Sequence, residues 1–198
     1  GPPPEVIRLM GDKISAKEIA AASGVPVSAW SEGVVTSAAH AAEHAARIGY
    51  PVVVKATSGG GGRGIRVVTR PEDLAAAFVS AGSEARAAFG DGRLFIERKI
   101  TGGRHIEVQI AADQDGVVLA LGCRDCSVQR RHQKVLEEAP PPGLPARLLA
   151  ELSDAAVRIA QKVGYSGVGT VEFLVSDEGY FFLEMNPRLQ VEHGVTES

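Results

Sequence analysis

The stretch GTVEFLVSDEGYFFLEMNPRLQVEH, residues 169–193, decides the fold that this sequence predicts. Its first part predicts an antiparallel hairpin, with one strand at 169–176 and a returning strand from Tyr180. The three-residue turn between them ends at Gly179, and such loops commonly end in the left-handed region, where glycine has no steric cost. This loop pairs Ser176 with Tyr180 and fixes the register of the hairpin.

Two carboxylates face each other in this register. Counting back from the turn places Leu174 opposite Phe182 and Glu172 opposite Glu184, with Asn186 next along the same face. Like charges directly across a strand pair repel each other, and a cation between them removes the repulsion. Carboxylate and amide oxygens are hard ligands of the kind that Mg²⁺ prefers. The hairpin therefore predicts a magnesium site, and the alternative is a solvated charged face.

Polar side chains continue at every second position beyond the hairpin, namely Arg188, Gln190 and Glu192. An exposed strand gives the same alternation. Because Pro187 cannot donate to a sheet ladder, we expect the regular strand to loosen there and an extended loop to carry residues 188–192.

Composition limits the kinds of protein that this chain can be. Its 198 residues suffice for one substantial domain or two small lobes. The net charge of −3 is spread without long runs, which argues against a nucleic-acid or membrane surface as partner. No apolar run reaches membrane-spanning length and the first residues do not resemble a signal peptide, so we expect a soluble, cytoplasmic protein.

Two motifs suggest metal sites but lack the further ligands that such sites require. Cys123 and Cys126 form a CxxC pair after a strand-like segment, without a second pair or nearby histidines. His40 and His44 have the spacing of an inverted zinc-protease motif in an Ala-rich amphipathic segment, without a third ligand. We interpret neither motif as a functional site.

The remaining patterns predict a mixed α/β chain with much antiparallel pairing. Helices are predicted at 12–23, from a cap at Thr36 to Ile48, at 71–89 and at 145–163. Strands are predicted at 51–55, 65–69, 94–100, 105–113 and 117–123.

A glycine-rich segment, SGGGGRG at 58–64, lies between two of these strands. Dinucleotide folds and P-loops run from strand to loop to helix, so the segment predicts a flexible hairpin instead. Consecutive glycines let backbone N–H groups approach phosphates, and such a hairpin can close over a nucleotide as a lid. Lys55 can supply positive charge to the same phosphates. A plain flexible turn is the alternative.

The segment RDCSVQRRHQK, residues 124–134, concentrates positive charge. Alone, it is typical of a basic surface strand. In a chain that also has a metal-binding hairpin and a glycine flap, the segment is better interpreted as one side of a site that binds anions. Together the three features indicate MgATP and a second anionic substrate.

These motifs, in this order, resemble the ATP-grasp core of biotin carboxylases. The resemblance covers essentially the whole chain and rests on GDK (11–13), VVVKATSGGGGRGIRVV (52–68), HIEVQI (105–110), RDCSVQRRHQKVLEEAP (124–140) and EMNPRLQVEHGVTE (184–197). It implies an ATP-grasp fold of the α/β (α+β) class, with two lobes of mixed, largely antiparallel sheets and a glycine-rich hairpin lid. Enzymes of this family form carboxyphosphate from MgATP and bicarbonate and transfer the carboxyl group to biotin.

The resemblance also implies a role for each matching residue. The metal, Mg²⁺ or Mn²⁺, would be held by Glu172, Glu184 and Asn186. Bicarbonate would be held by Lys134, Arg188, Gln190 and the backbone of Val191, with Glu192 as the base and with Lys134 and Arg188 also catalytic. ATP would contact Lys13, Lys55, Gly60, Gly61, Gly62, Ile65, Glu97, Arg98, Ile100, His105, Gln129, His132 and Leu174.

Further partners follow from the same resemblance. The chain has no Ala-Met-Lys-Met motif, so biotin is expected on a separate carrier domain. A carboxyltransferase domain or subunit and an oligomeric parent enzyme are implied, and Ala29-Trp30-Ser31 and MNPR at 185–188 lean towards an acyl-CoA carboxylase. The family's flanking N- and C-terminal domains, including an arginine that is thought to stabilise the biotin enolate, are expected to be missing. We therefore do not expect full activity from this segment alone.

The implied division is a linker and entering helix at 1–26, a lid subdomain at 27–98 and a catalytic subdomain at 99–198. Two other functions fit part of the pattern. Another ATP-grasp ligase, similar to carbamoyl-phosphate synthetase, would also activate bicarbonate. A non-catalytic ATP-binding module would bind nucleotide without turnover, and it would need neither Arg188 nor Glu192.

Overall fold

The computed structural model describes residues 1–198, which form two compact units. The larger unit comprises residues 1–11, 15–27 and 102–198, and we call it the five-stranded unit. The smaller comprises residues 12–14 and 28–101, and we call it the three-stranded unit. The predicted mixed α/β fold with two lobes and antiparallel sheets is confirmed. The lid and catalytic roles of the two lobes stay predictions.

The helices are α1 (Pro4–Gly11), α2 (Lys13–Ala22), α3 (Ala38–Ile48), α4 (Leu74–Phe89), α5 (Ala146–Lys162) and α6 (Gly194–Glu197), with 3-10 turns at Pro71–Asp73 and Val191–His193. The strands are β1 (Val52–Ala56), β2 (Ile65–Val68), β3 (Leu94–Arg98), β4 (Arg104–Ala112), β5 (Val118–Arg130), β6 (Gln133–Glu138), β7 (Gly167–Ser176) and β8 (Gly179–Asn186). No helix combines the length and the apolar character that crossing a bilayer would require.

The five-stranded unit contains an antiparallel sheet in the order β6-β5-β4-β7-β8. Successive side chains of a strand point to opposite faces, so Ile106, Val108 and Ile110 of β4 lie on one face. They join the apolar core that includes Leu152 and Ile159 of α5. The alternate positions of β4, which are polar, therefore lie on the other face, and that face carries the candidate site.

The three-stranded unit has the antiparallel order β2-β1-β3. Strand β1 is central, and Val52 and Val54 are fully buried. They belong to a core that also includes Ala45 of α3 and Ala81 of α4. Small side chains on the helices let the helix backbones lie close to the sheet. The two ends of the glycine hairpin continue directly from β1 and into β2.

The predicted turn of the β7-β8 hairpin is wrong by one residue. Ser176 pairs with Gly179, not with Tyr180, and Leu174 pairs with Phe181, not with Phe182. The turn therefore has two residues instead of three. At Gly179 φ is +117°, a conformation that costs glycine nothing and lets β8 begin at once.

A bulge in β8 restores the pairing that matters. Phe173 pairs with Phe182 but Glu172 pairs with Glu184, so Leu183 is an extra residue in the strand. The prediction that Glu172 faces Glu184 is confirmed. The residue assigned to the turn lies in the strand instead, and the two errors cancel at this pair. Strand β8 ends at Asn186, as Pro187 predicted.

One further prediction about local structure is wrong, and two elements were not predicted. Ser37, not Thr36, caps α3, because its side chain accepts the backbone N–H of His40. Helix α1 was not predicted, although Pro4 is tolerated in a first helical turn and Val6 and Met10 bury one face. Strand β6 was not predicted either; the chain reverses at Arg131 and His132, which both have positive φ.

Candidate active site

Four charged side chains form a row across the five-stranded sheet. Glu107 of β4 pairs with Arg124 of β5 on one side and with Glu172 of β7 on the other. Glu172 in turn pairs with Glu184 of β8. Residues that pair directly across strands share a face, so these four side chains, which we call the charged row, line the face opposite α5.

Lys134 of β6 binds three carboxylates at this face. Its ammonium group donates to Glu107, to Glu192 at 2.6 Å and to Glu172 at 3.0 Å. Burial disfavours its charge, but the carboxylates of Glu172, Glu107 and Glu192 outweigh burial and raise the Lys134 pKa. Lys134 is therefore a cation that, together with Arg124, balances the buried acids of the charged row.

Glu172 is buried and yet ionised. Its Oε1 accepts from Lys134, from Asn186 Nδ2 at 2.9 Å and from Gln190 Nε2 at 3.3 Å. Its Oε2 lies 2.9 Å from His105 Nε2. Burial opposes the charge, but His105 and Lys134 outweigh it and lower the Glu172 pKa to about 2. A carboxylate in this state can bind a metal ion at neutral pH.

The hydrogen bonds of Gln129 determine the tautomer of His105. Gln129 Nε2 donates to the Cys126 carbonyl at 2.8 Å, which identifies this atom as the amide nitrogen. The same nitrogen lies 2.8 Å from His105 Nδ1, which is therefore the acceptor. The proton of the neutral ring is then on Nε2, 2.9 Å from Glu172 Oε2, where the N–H dipole favours the ionised carboxylate although the geometry is not that of a regular hydrogen bond.

Sequence reasoning missed Glu107 and Arg124 as parts of the site. Both side chains are fully buried, and Arg124 Nε donates to Glu107 at 2.6 Å. Arg124 Nη1 donates to Gln109 at 2.9 Å and to Thr196 at 2.7 Å. The signal was present in HIEVQI, where His105, Glu107 and Gln109 alternate with apolar residues. Polar side chains at every second position of a central strand indicate a polar face inside the protein.

Several buried polar atoms of this face lack a protein partner. They are Nη2 of Arg124, Oγ1 of Thr170 and Oε1 of Gln190. Buried polar groups in folded proteins are nearly always hydrogen-bonded. A ligand that brings its own donors and acceptors, or ordered water, would satisfy these atoms. The face therefore has the chemistry of a polar binding site.

The predicted metal ligands lie together in the hairpin. Glu172 and Glu184 face each other, and Asn186 lies one pair further along, although its Nδ2, not its oxygen, contacts Glu172. Glu184 belongs to neither of two tighter groups of ligand atoms, His105-Glu107-Glu172 and Glu107-Cys126-Glu192. Ionised carboxylates fit the hard-ligand preference of Mg²⁺. The assignment of Glu172, Glu184 and Asn186 as metal ligands stays a prediction.

Two of the residues predicted to serve bicarbonate lie beside Lys134 and Glu172. Glu192 and Gln190 lie within hydrogen-bond distance of Lys134 and Glu172 respectively. Burial raises the Glu192 pKa, but the bond from Lys134 outweighs burial, so its pKa is lowered. Arg188 is exposed and donates to the Leu189 carbonyl, and Val191 is 98% exposed. A 3-10 turn begins at Val191, so the extended loop predicted for 188–192 is only partly correct.

In the three-stranded unit, two predicted ATP residues bind each other. Lys55 of β1 donates to Glu97 of β3 at 2.7 Å, and both are buried. Ser28 donates to the second oxygen of Glu97 at 3.2 Å. Lys55 also lies 6.0 Å from the centre of the Phe95 ring, within the range of a cation–π contact. This buried ion pair joins β1, the strand that leads into the glycine hairpin, to β3.

Lys13 is joined to the start of the glycine hairpin. Its backbone N–H donates to the Thr57 carbonyl at 2.8 Å, and its ammonium group donates to the Gly59 carbonyl. Gly60, Gly61 and Gly62 form the exposed or half-buried tip that follows. Ile65 pairs with Lys55, and Arg98 ends β3. Lys13 and the flap predicted from sequence therefore lie together.

The other predicted ATP residues have a variety of environments. His132 is exposed in the β5-β6 turn, Leu174 is half-buried on β7, and Ile100 is half-buried just beyond β3. The roles of all the ATP residues stay predictions.

The two motifs that we do not interpret as functional sites differ in their surroundings: Cys126 lies in the group with Glu107 and Glu192, and the lack of function of both motifs stays a prediction. Cys123 and Cys126 are buried free thiols, and burial raises the pKa of both. His40 and His44 lie one turn apart on α3 with their Nε2 atoms 2.9 Å apart. Neither histidine belongs to a group of three potential metal ligands.

Comparison with known proteins finds a matching family model and similar relatives. The family model described as carbamoyl-phosphate synthase L chain, ATP binding domain, matches residues 12–198. A biotin carboxylase from Nostoc is 53% identical over 198 residues, which are the whole of this chain and 44% of that protein.

Solved structures are also similar to this chain. The crystal structure of a biotin carboxylase-β,γ-ATP complex from Campylobacter jejuni has a TM-score of 0.97 and 49% identity. The biotin carboxylase domain of the Hydrogenobacter thermophilus 2-oxoglutarate carboxylase, in complex with MgADP, ADP and bicarbonate, has a TM-score of 0.96 and 44% identity. Each match covers all of this chain and 44% of the other. The chain thus spans less than half the length of these relatives.

Proposed function

Because the chain belongs to the family described as carbamoyl-phosphate synthase L chain, ATP binding domain, we propose that it is the ATP-grasp core of a biotin carboxylase. It would form carboxyphosphate from MgATP and bicarbonate and carboxylate biotin on a carrier domain. The names of the similar proteins support the enzyme class. The main structural support for bicarbonate activation is the position of Lys134 between Glu192 and Glu172.

Bicarbonate must lose a proton to become a strong nucleophile, and Glu192 is the proposed base. Its lowered pKa keeps it ionised at neutral pH, so it can accept that proton. An anion that shares the Lys134 ammonium would weaken the bond from Lys134 to Glu192 and raise the pKa of Glu192 towards its ordinary value. Bicarbonate binding would therefore strengthen its own base.

Lys134 and Gln190 would hold the bicarbonate oxygens, and Arg188 would approach from the exposed side. One bicarbonate oxygen forms a bond to the γ-phosphorus, the bond from phosphorus to the β,γ-bridging oxygen breaks, and ADP leaves with the electron pair. The proton removed from bicarbonate stays on Glu192. Positioning by fixed cations supplies much of the catalysis in such transfers, because the reacting groups are held in line.

The nucleotide would be bound by Lys13, Lys55 and the glycine hairpin, whose backbone N–H groups suit phosphate oxygens. Glu172 and Glu184, with Asn186, would hold Mg²⁺. When bound, Mg²⁺ neutralises phosphate charge. Glu172 is ionised, and the carboxylates of Glu172 and Glu184 and the amide of Asn186 offer oxygen atoms, which Mg²⁺ prefers as ligands.

Larger assemblies are part of the proposal. The relatives are more than twice as long as this chain, which supports carrier and carboxyltransferase partners as separate domains or subunits. Assignment to an acyl-CoA carboxylase remains a prediction, because one similar structure is named for 2-oxoglutarate. A cytoplasmic location and an oligomeric parent also remain predictions.

The test is ADP release in MgATP, with and without bicarbonate and free biotin. We expect release that requires bicarbonate and rises with biotin, because biotin consumes the carboxyphosphate. Bicarbonate-dependent release that ignores biotin would instead favour a ligase similar to carbamoyl-phosphate synthetase. ATP binding without any turnover, both in this chain and in the intact protein, would favour a non-catalytic module.

A further inference from the structure

Helix α4 contacts both ends of the glycine hairpin at residues 58–64. At the far end, Glu84 Oε2 accepts the Gly64 backbone N–H at 2.9 Å and Arg66 Nη1 at 2.8 Å. At the near end, Gly59 lies so close to the Phe89 ring that a Cβ atom on it would overlap the ring. Residues of one helix thus touch the hairpin where it begins and where it ends.

Gly64 lies directly on the framework of the unit. A Cβ atom at Gly64 would lie 2.9 Å from Ala56 Cβ of β1 and 3.3 Å from Ala85 Cβ of α4. Its φ is +68°, which a larger residue rarely adopts. The Gly64 carbonyl also accepts the Ala56 N–H at 2.9 Å. The far end of the hairpin is therefore held by packing, by backbone pairing and by the Glu84 carboxylate.

The tip has no comparable contacts. Cβ atoms at Gly60 and Gly61 would meet nothing within 4 Å. Arg63 is exposed, although it directly precedes the anchored Gly64. Contacts therefore hold the hairpin at Gly59 and Gly64 and leave Gly60 and Gly61 in open space.

We propose that Glu84 is a positioning residue for the glycine hairpin, which fixes the hinge at Gly64 so that only the tip moves over the phosphates of a nucleotide. The nucleotide part rests on the proposed function. Glu84 would act through the backbone of Gly64 and would not touch the nucleotide. Its hydrogen bond is charge-assisted, since the Gly64 N–H and Arg66 both lower the Glu84 pKa and keep the carboxylate ionised.

The anchor is tested first without ligand. Glu84→Ala should speed amide hydrogen exchange at Gly64 about fivefold, because the N–H loses its acceptor. Trypsin cleavage after Arg63 should become faster by a similar factor. Glu84→Gln should lie between Ala and wild type, since an amide oxygen can still accept the N–H. Glu72→Ala, which removes an exposed carboxylate just before α4, is the matched control and should change neither rate.

The positioning role is tested with MgATP. Glu84→Ala should weaken MgATP binding about fivefold, mainly through faster dissociation, because more hairpin conformations must be ordered on binding. Exchange of the amides of residues 52–54 in β1, which do not contact Gly64, should stay unchanged, which excludes general unfolding. Gly64 exchange that is unaffected by Glu84→Ala would overturn the anchor. Faster exchange with unchanged MgATP dissociation would overturn the positioning role. If wild type does not bind MgATP, the proposed function fails, and the Gly64 exchange rates still decide on the anchor.

Discussion

Lys134 is the residue on which the charge balance of the candidate site depends. Three carboxylates surround its ammonium group, and two of them, Glu107 and Glu172, are buried. A buried ion network costs desolvation energy that its internal attractions only partly return, so the network is retained for a purpose other than stability. Under the proposed function, the network holds the Lys134 cation and the proposed base Glu192 at a fixed distance.

Lys134→Met should destabilise the protein at neutral pH by about 3 kcal/mol, because it leaves buried carboxylates without their cation. The folded-state pKa of Glu172 is lowered to about 2, so its stabilising contribution is complete above its unfolded pKa and is lost as pH falls towards 2. Once the carboxylates around residue 134 are protonated, they no longer need a cation, so the destabilisation caused by Lys134→Met becomes smaller. Urea unfolding followed by far-UV circular dichroism should show a smaller difference from wild type at pH 3.5 than at pH 7. A difference that grows on acidification would contradict the charge balance.

Glu192→Gln removes the proposed base and keeps the shape of the side chain. Bicarbonate-dependent ADP release by the intact carboxylase that the proposal implies should fall about 100-fold or more, since general base catalysis is worth at least that factor. MgATP affinity should change by less than about twofold, as Glu192 is not among the ATP residues. Glu178→Gln, in the exposed β7-β8 turn, is the control. Normal turnover in Glu192→Gln would rule out the base assignment.

Sequence alone predicted the residues at this scale unevenly. Glu172 and Glu184 could be paired by counting from a turn. Glu107 and Arg124 could not be recognised as neighbours of that pair, because the order of strands in the sheet is not written in any one segment. A charged residue inside a strand is informative only once its neighbours across the sheet are known.

At the scale of elements, the β7-β8 hairpin shows how local rules can be wrong while the result holds. The turn is one residue shorter than predicted, and a bulge at Leu183 contains the extra residue. The shorter turn and the bulge are both local features. Whether the two carboxylates meet depends only on the total number of residues between Glu172 and Glu184. Bulges often occur near active sites, where they aim a side chain.

The cap of α3 gives a clear prediction. Ser37→Ala should lower the free energy of unfolding of the three-stranded unit by about 1 kcal/mol, because the His40 N–H loses its acceptor. Thr36→Ala is the matched control, and its effect should be below about 0.5 kcal/mol. Trp30, the sole tryptophan, lies in this unit and packs against Phe95, so its fluorescence reports the transition. If Thr36→Ala lowered the free energy of unfolding more than Ser37→Ala, Thr36 would be the cap, as the sequence predicted.

At the scale of the whole molecule, periodicity and turn residues sufficed to predict most elements, whereas the two antiparallel lobes were expected from the family resemblance. Neither revealed that residues 12–14 belong with the three-stranded unit, while α1 and the rest of α2, residues 15–22, belong with the other. The Lys13 N–H bond to Thr57 explains that assignment, and it joins residues far apart in the chain. Local sequence patterns do not predict contacts between segments that are far apart in the chain.

MgATP binding should also stabilise the chain as a whole. Ligand that binds only the folded state at about 100 times its dissociation constant adds about 2.7 kcal/mol to the free energy of unfolding. A thermal scan should therefore show a higher midpoint in MgATP than in Mg²⁺ alone. A midpoint that does not change at saturating MgATP would contradict specific binding.

The most direct test is a calorimetric titration of the chain with ATP, in Mg²⁺ and in excess chelator, with Glu184→Gln and the control Glu178→Gln in parallel. We predict binding that requires Mg²⁺ in wild type and in Glu178→Gln, and about tenfold or more weaker binding in Glu184→Gln, because a metal-binding carboxylate is lost. Absence of ATP binding in wild type, or equal affinity with and without Mg²⁺, would contradict a MgATP site built on the Glu172–Glu184 hairpin.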